Sequence, residues 1–222
     1  MNRFNKTGIC LILLCYTFSA LGQKAIRVPL EKENLRTMNR EIEILSDEHK
    51  GNVVRANAKD KPGVIWIHGL HFKSGSIEFD VKGKDVLQES FVGIAFHGSN
   101  DSTYESVYFR PFNFNAEDSA RKAHAVQYMA LPDYDWPYLR ENFPGKYEAP
   151  VNSFIDPNDW FHVKILVSGK LIRVFINMDK TPLLEIAPLK KKLDGKVGFW
   201  LGNGSDGAFS NLVITGGFWI RD

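Results

Sequence analysis

Almost every apolar segment after residue 40 repeats with a period of two and is closed by Gly, Asn, Asp or Pro. This is the pattern of half-buried strands separated by turns. The predicted strands are Glu41–Leu45, Asn52–Ala56, Val64–His68, Gly75–Lys82, Ser90–His97, Ser106–Arg110, Ala123–Met129, Phe161–Val167, Leu171–Asn177, Leu183–Ile186, Lys196–Leu201 and Phe209–Ile214. Ser168-Gly169-Lys170 is a short glycine-containing connection between two of them and reads as a hairpin. Helical propensity gathers only at Glu31–Arg40, where the periodicity is weak. About a dozen strands with no long helix between them predict an all-β fold, a two-sheet antiparallel β-sandwich or jelly roll. No internal repeat and no second domain interrupts the pattern, so residues 23–222 are expected to form one domain.

One segment breaks the rhythm. From Pro111 to Phe154 the chain is long, and the expected strand Ala123–Met129 is flanked by two irregular stretches. The second of these, Leu131-Pro-Asp-Tyr-Asp-Trp-Pro-Tyr-Leu-Arg140 followed by Phe143-Pro-Gly-Lys-Tyr147, is dense in aromatic and acidic residues. Long loops inside compact sandwiches are uncommon unless they carry function. Two roles fit the rings, Trp136 foremost. Either they cover a sheet edge or plug one end, or they overhang a binding face and stack on a ligand.

The first 22 residues have the layout of a secretory leader. Arg3 and Lys6 precede the apolar run Ile9–Phe18, and Ala20-Leu21-Gly22 supplies a small–x–small cleavage site, which predicts a mature start at Gln23. The run is ten residues long, against the roughly 20 that span a bilayer. A lipid anchor on Cys15 would want a small residue where Leu14 stands. Both cysteines, Cys10 and Cys15, lie in the leader, so the mature chain is expected to be held by its hydrophobic core without disulfides. Loss of Arg3 and Lys6 leaves 26 basic residues against 26 acidic ones. That balance lacks the broad positive field nucleic-acid binding needs, and Lys190-Lys191-Lys192 reads as a solvated turn. The expectation is a secreted or periplasmic protein with no nucleic-acid partner and no membrane span.

Three stretches resemble a known superfamily. Phe72-Lys-Ser-Gly-Ser-Ile-Glu-Phe-Asp80 resembles an early strand of concanavalin A-like and laminin-G-like domains, and Trp160 to Asn177 resembles their hairpin. Gly195-Lys-Val-Gly-Phe-Trp200 with Phe209-Ser-Asn-Leu212 resembles their closing pair of strands. The nearest group is the 3-keto-disaccharide hydrolase-like domain, also described as glycoside-hydrolase-family-16-like. The resemblance implies a concanavalin A-like jelly roll and business with carbohydrate, but this superfamily hosts lectins, binding modules, hydrolases and lyases alike. Family 16 enzymes of this fold carry Glu-x-Asp-x-x-Glu on one strand, the two Glu serving as nucleophile and acid/base. Here Glu78 and Asp80 are present, but Gly83 stands at the second Glu position. That mechanism is therefore not carried over.

Strand alternation sorts the remaining candidates by face. Val92, Ile94 and Phe96 form a bulky apolar set that leaves Gly93, Ala95 and His97 on the other side. By the same parity Tyr108 and Arg110 oppose Val107 and Phe109, and His162 opposes the apolar set from Phe161 to Val167. Arg173 opposes Ile172 and Val174, Trp200 opposes Val197 and Phe199, and Gln127 opposes Val126 and Tyr128. Small residues make a hollow, long donors around it converge on hydroxyls, and an indole supplies a stacking surface. Arg110 ends a strand just before the long loop. It is placed either to grip a carboxylate ligand such as a uronic acid, or to pair with Glu105, Asp133 or Asp135 and hold the loop.

The expected site therefore comprises His97 and His162 for proton transfer, with Tyr108, Arg110, Gln127, Trp136, Arg173 and Trp200 binding substrate. The six histidines show no metal-site spacing, so no cofactor is expected. Asn203-Gly-Ser-Asp206-Gly could offer oxygens to Ca²⁺ or be a plain turn. Two functions fit: a glycoside hydrolase, extending to 3-keto-glycosides, acting in a concave-face cleft, or a non-catalytic glycan-binding module.

Overall fold

The computed structural model describes residues 24–177, 179–190 and 193–221, so the expected leader lies outside the described residues. Fourteen strands are described: β1 (Ala25–Arg27), β2 (Leu35–Met38), β3 (Ile42–Asp47), β4 (Gly51–Ala56), β5 (Gly63–Lys82), β6 (Val92–Asn100), β7 (Thr103–Phe109), β8 (Val126–Ala130), β9 (Glu148–Ala149), β10 (Trp160–Val167), β11 (Ile172–Ile176), β12 (Leu184–Ile186), β13 (Gly195–Leu201) and β14 (Gly207–Ile220). Two short helices, α1 (Ser119–Ala123) and α2 (Trp136–Asn142), interrupt the long segment before and after β8. Every described strand pairing is antiparallel.

Strand β5 makes the sandwich. Its first part, Gly63 to Ile67, lies between β2 and β13. Its second part, Gly75 to Lys82, lies between β10 and β14. One layer thus runs β2-β5-β13-β6-β7-β8-β9 and the other β12-β11-β10-β5-β14-β4-β3, with β1 added on β14. The two expected strands Val64–His68 and Gly75–Lys82 are therefore one 20-residue element. Gly75, at φ +130, permits the passage between layers, because a Cβ there would sit 1.8 Å from the Thr215 carbonyl oxygen.

Inward-facing rings from both layers close the core. Phe79 meets Phe199 with centroids 6.1 Å apart, Phe109 meets Phe161 at 5.3 Å, and Phe199 stacks on Phe209 at 4.5 Å. All five are almost fully buried, and each contributes roughly 1.5–3 kcal/mol by leaving water.

Two local expectations are corrected. The stretch Glu31–Arg40 holds only a single turn, Lys32–Asn34, and then strand β2, whose backbone pairs with β5. The ladder on the edge of β5 outweighs weak helical propensity. The expected strand Ala123–Met129 begins only at Val126, because the Asp118 side chain accepts from the Ala120 N–H and caps α1 ahead of it.

Candidate functional site

The outer face of the first layer carries one continuous row of Cα partners across its strands. Val64, Trp200, Gly93, Tyr108, Gln127 and Glu148 stand side by side on β5, β13, β6, β7, β8 and β9. Alternation gives all of them the same outward direction. Over this row the long segment folds back, and a cleft of about 590 Å³ remains between it and the sheet. Tyr108, Arg110, Trp136 and Trp200 all line it, so four of the expected site residues come together.

Gly93 does not leave a hollow. Tyr108 and Trp200 are its two neighbours in the row, and their rings close to 4.6 Å between centroids. The Trp200 indole N–H donates to the Tyr104 hydroxyl at 3.1 Å, and Phe91 packs edge-on to Tyr108 at 6.3 Å. Tyr108 is only 2% exposed and Trp200 4%. The two form the packed floor of the cleft, and burial pushes the Tyr108 hydroxyl up to about 12, with Arg110 opposing the rise. The open aromatic surface belongs to Trp136, 42% exposed, and to half-buried Phe91. Trp136 begins α2 instead of standing in an irregular loop, since the Asp135 carboxylate accepts from its N–H at 2.6 Å and Pro137 suits the first turn.

Arg110 enters the cleft from the end of β7. It is 5% exposed, donates to the His124 carbonyl oxygen at 2.7 Å and to the Tyr108 hydroxyl at 2.8 Å, and reaches the Gln127 amide oxygen at 3.5 Å. Burial pulls its pKa below the ordinary arginine value. Among the described residues no carboxylate lies within 4 Å of it, so the expected alternatives Glu105, Asp133 and Asp135 do not pair with it. Gln127 sits beneath Arg110, fully buried, with its amide N–H groups donating to the Tyr128 and Tyr147 carbonyls. Its place is support and not the cleft surface.

The other expected residues lie elsewhere. His97 ends a regular stretch at a register shift in β6, with φ +51. The bulge turns its ring inward, where it stacks on Phe72 at 5.8 Å and meets the Glu105 carboxylate at 2.5 Å in the core. Tyr128 donates to the same carboxylate. His162 and Arg173 do face outward, but on β10 and β11 of the second layer. His162 bonds Asp80 at 2.7 Å, and Arg173 pairs with Glu185 at 2.5 Å in solvent. Glu78 and Asp80 share that second face, away from the cleft.

Sequence reasoning missed several cleft residues. Arg121 from α1, His124, and Arg140 from α2 line it, and Glu148 lies behind them. The Arg140 guanidinium lies 5.0 Å from the Trp136 ring centre and pairs with Glu148 at 2.9 Å. His124 Nδ1 stands 2.7 Å from the same carboxylate, set off-axis for a hydrogen bond. The density of rings and charges in the segment was the available signal; which of them turn inward carries no periodic mark.

The Asn203–Asp206 turn has uses for its oxygens. Asn203 Oδ1 accepts from the Lys61 N–H at 2.6 Å, and Asp206 pairs with Lys84 at 2.9 Å. Among the described residues there is no group of three or more His, Cys, Asp or Glu placed to hold a metal ion, and no helix is long and apolar enough to cross a membrane.

The architecture is a lectin-like jelly roll, and solved structures share it. The carbohydrate-binding module CBM66 from Bacillus subtilis superposes with a TM-score of 0.56 at 14% identity, covering 81% of this chain and 93% of that one. A Bacillus subtilis protein of unknown function with a galectin-like fold gives 0.54 at 13%, over 85% and 91%. The exoplasmic/lumenal domain of VIP36, in its Ca²⁺- and Man3GlcNAc-bound form, gives 0.53 at 12%, over 90% and 91%. At these identities the likeness is one of fold. No protein-family model and no curated protein matches the sequence.

Proposed function

We propose that this is an exported glycan-binding protein whose site is the cleft over the first layer. The observation that carries the reading is the cleft's make-up: the half-exposed Trp136 ring shares one enclosure with the buried donors of Arg110 above a packed aromatic floor. Sugars present both an apolar ring face and hydroxyls that must find partners, and such a site offers stacking and hydrogen bonds together. Solved structures of this fold include a carbohydrate-binding module and a domain with a mannose-containing glycan bound, which supports the class of ligand. The test is calorimetric titration with a panel of neutral and acidic oligosaccharides. At least one is expected to bind, and Trp136→Ala should weaken it roughly tenfold or more with the melting temperature unchanged. A panel with no binder, or a variant that loses nothing, would refute the site.

Turnover is the second reading, raised by the resemblance to 3-keto-disaccharide hydrolase-like domains. One observation favours it: His124, on the cleft wall, is backed by the Glu148 carboxylate. Such an imidazole could move a proton during glycosidic cleavage, a role for which His97 and His162 lie outside the cleft. Product analysis after incubation with glycosides and 3-keto-glycosides tests it. Absence of cleavage, or cleavage unaffected by His124→Gln, would leave binding alone.

A further inference from the structure

Resting on the glycan reading, we infer that the cleft selects sugars bearing a carboxylate, with Arg110 and Arg121 as the residues that receive it. A buried guanidinium without a counter-ion is costly, and Arg110 is such a group: its partners are a carbonyl, a hydroxyl and an amide oxygen, all neutral. Those contacts occupy three of the five N–H donors that an arginine carries, leaving two for a ligand.

Arg121 repeats the arrangement. It donates to the Phe112 carbonyl at 2.8 Å and to Asn113 Oδ1 at 3.3 Å, again neutral acceptors. Asn113 in turn reaches the His124 carbonyl that also receives Arg110, so the two guanidinia are mounted on one small backbone framework. The third arginine of the cleft, Arg140, is already matched by Glu148. Asp135 is the one carboxylate among the lining residues; it is exposed, and one of its oxygens caps α2. The cleft therefore holds two positive charges, Arg110 buried within it and Arg121 at its half-buried rim, with no partner of opposite sign within 4 Å among the described residues. A neutral sugar would leave both as they are, whereas a uronate carboxylate accepts charge-assisted hydrogen bonds from their free N–H groups.

The experiment compares oligogalacturonate and oligomannuronate with their own methyl esters and with cello-oligosaccharides, by calorimetry on the full mature chain. Esterification removes the charge and keeps the ring. The free acid of at least one oligomer is expected to bind about 10- to 100-fold more tightly than its ester, with affinity falling as salt is raised. Arg121→Gln, at the half-buried rim, should shrink that ratio without lowering the melting temperature. Arg110→Gln should abolish the ratio; because Arg110 also holds the His124 carbonyl, the rim variant and the wild-type comparison decide the matter if this protein unfolds. Equal binding of acid and ester, or preference for the neutral oligomer, overturns the inference while leaving a glycan site in place. Failure of every oligosaccharide to bind overturns both.

Discussion

Tyr108 and Trp200 meet across Gly93, their rings tilted by 35° with centres 4.6 Å apart above the one residue in the row without a side chain. The glycine is thereby a requirement of the cleft floor. A Cβ at Gly93 would lie 2.5 Å from the Tyr108 Cα and 2.1 Å from the Val107 carbonyl oxygen, both backbone atoms that cannot swing aside. Gly93→Ala should destabilise the protein by about 1–3 kcal/mol, the usual cost of overpacking. It should also change the near-ultraviolet dichroism of the Tyr108–Trp200 pair. A variant with wild-type melting and spectrum would show that the floor adapts.

The His97–Glu105–Tyr128 group predicts a different phenotype. Glu105 is fully buried between the His97 ring and the Tyr128 hydroxyl, whose pKa is driven upward by burial and by that carboxylate. Glu105→Ala strips two buried polar groups of their partner and should cost about 3–5 kcal/mol. Glycan binding per folded molecule should be unchanged, since the group is on the core side of the sheet. Chemical denaturation and calorimetry on the same samples separate the two effects.

Asp80 ties the second layer together and sets an acid limit. Burial by itself would raise its pKa, but hydrogen bonds from His162, Asn211 and Lys50 outweigh burial and hold it well below the ordinary aspartate range. A carboxyl whose folded pKa is depressed contributes stability that is complete above its unfolded pKa and is lost as pH falls toward the folded one. The contribution should therefore fade below about pH 4. Asp80→Asn should lower stability at neutral pH by about 1–3 kcal/mol and flatten the decline on the acid side. Denaturation midpoints from pH 7 to pH 2 for both proteins test the sign; parallel curves would remove Asp80 from the account.

The proposed export makes a prediction that needs no structure. Mass spectrometry of the secreted protein should find a first residue at or within a few positions of Gln23, where the apolar run and the small–x–small site coincide. An intact leader, or lipid on Cys15, would contradict it.

Much of the fold was legible along the chain because alternation is a local property. Which side of its strand a residue takes is decided by its neighbours two positions away, and so Tyr108, Gln127 and Trp200 could be assigned to one face from parity alone. Three things were not written there. Parity separates inward from outward, but a sandwich has two outsides, and only strand pairing through β5 assigned His162 and Arg173 to the layer away from the cleft. A single bulge at His97 reversed its direction, as one residue out of register must. Arg121, His124, Arg140 and Glu148 come from short helices, a turn and a two-residue strand, where no period runs long enough to reveal a face. The sequence by itself determined the layers' inward faces and the composition of the segment that folds over one of them. The tertiary structure decided which charges that segment neutralises and which it leaves unpaired, because ion pairing depends on distances across chain-remote elements that local pattern does not encode.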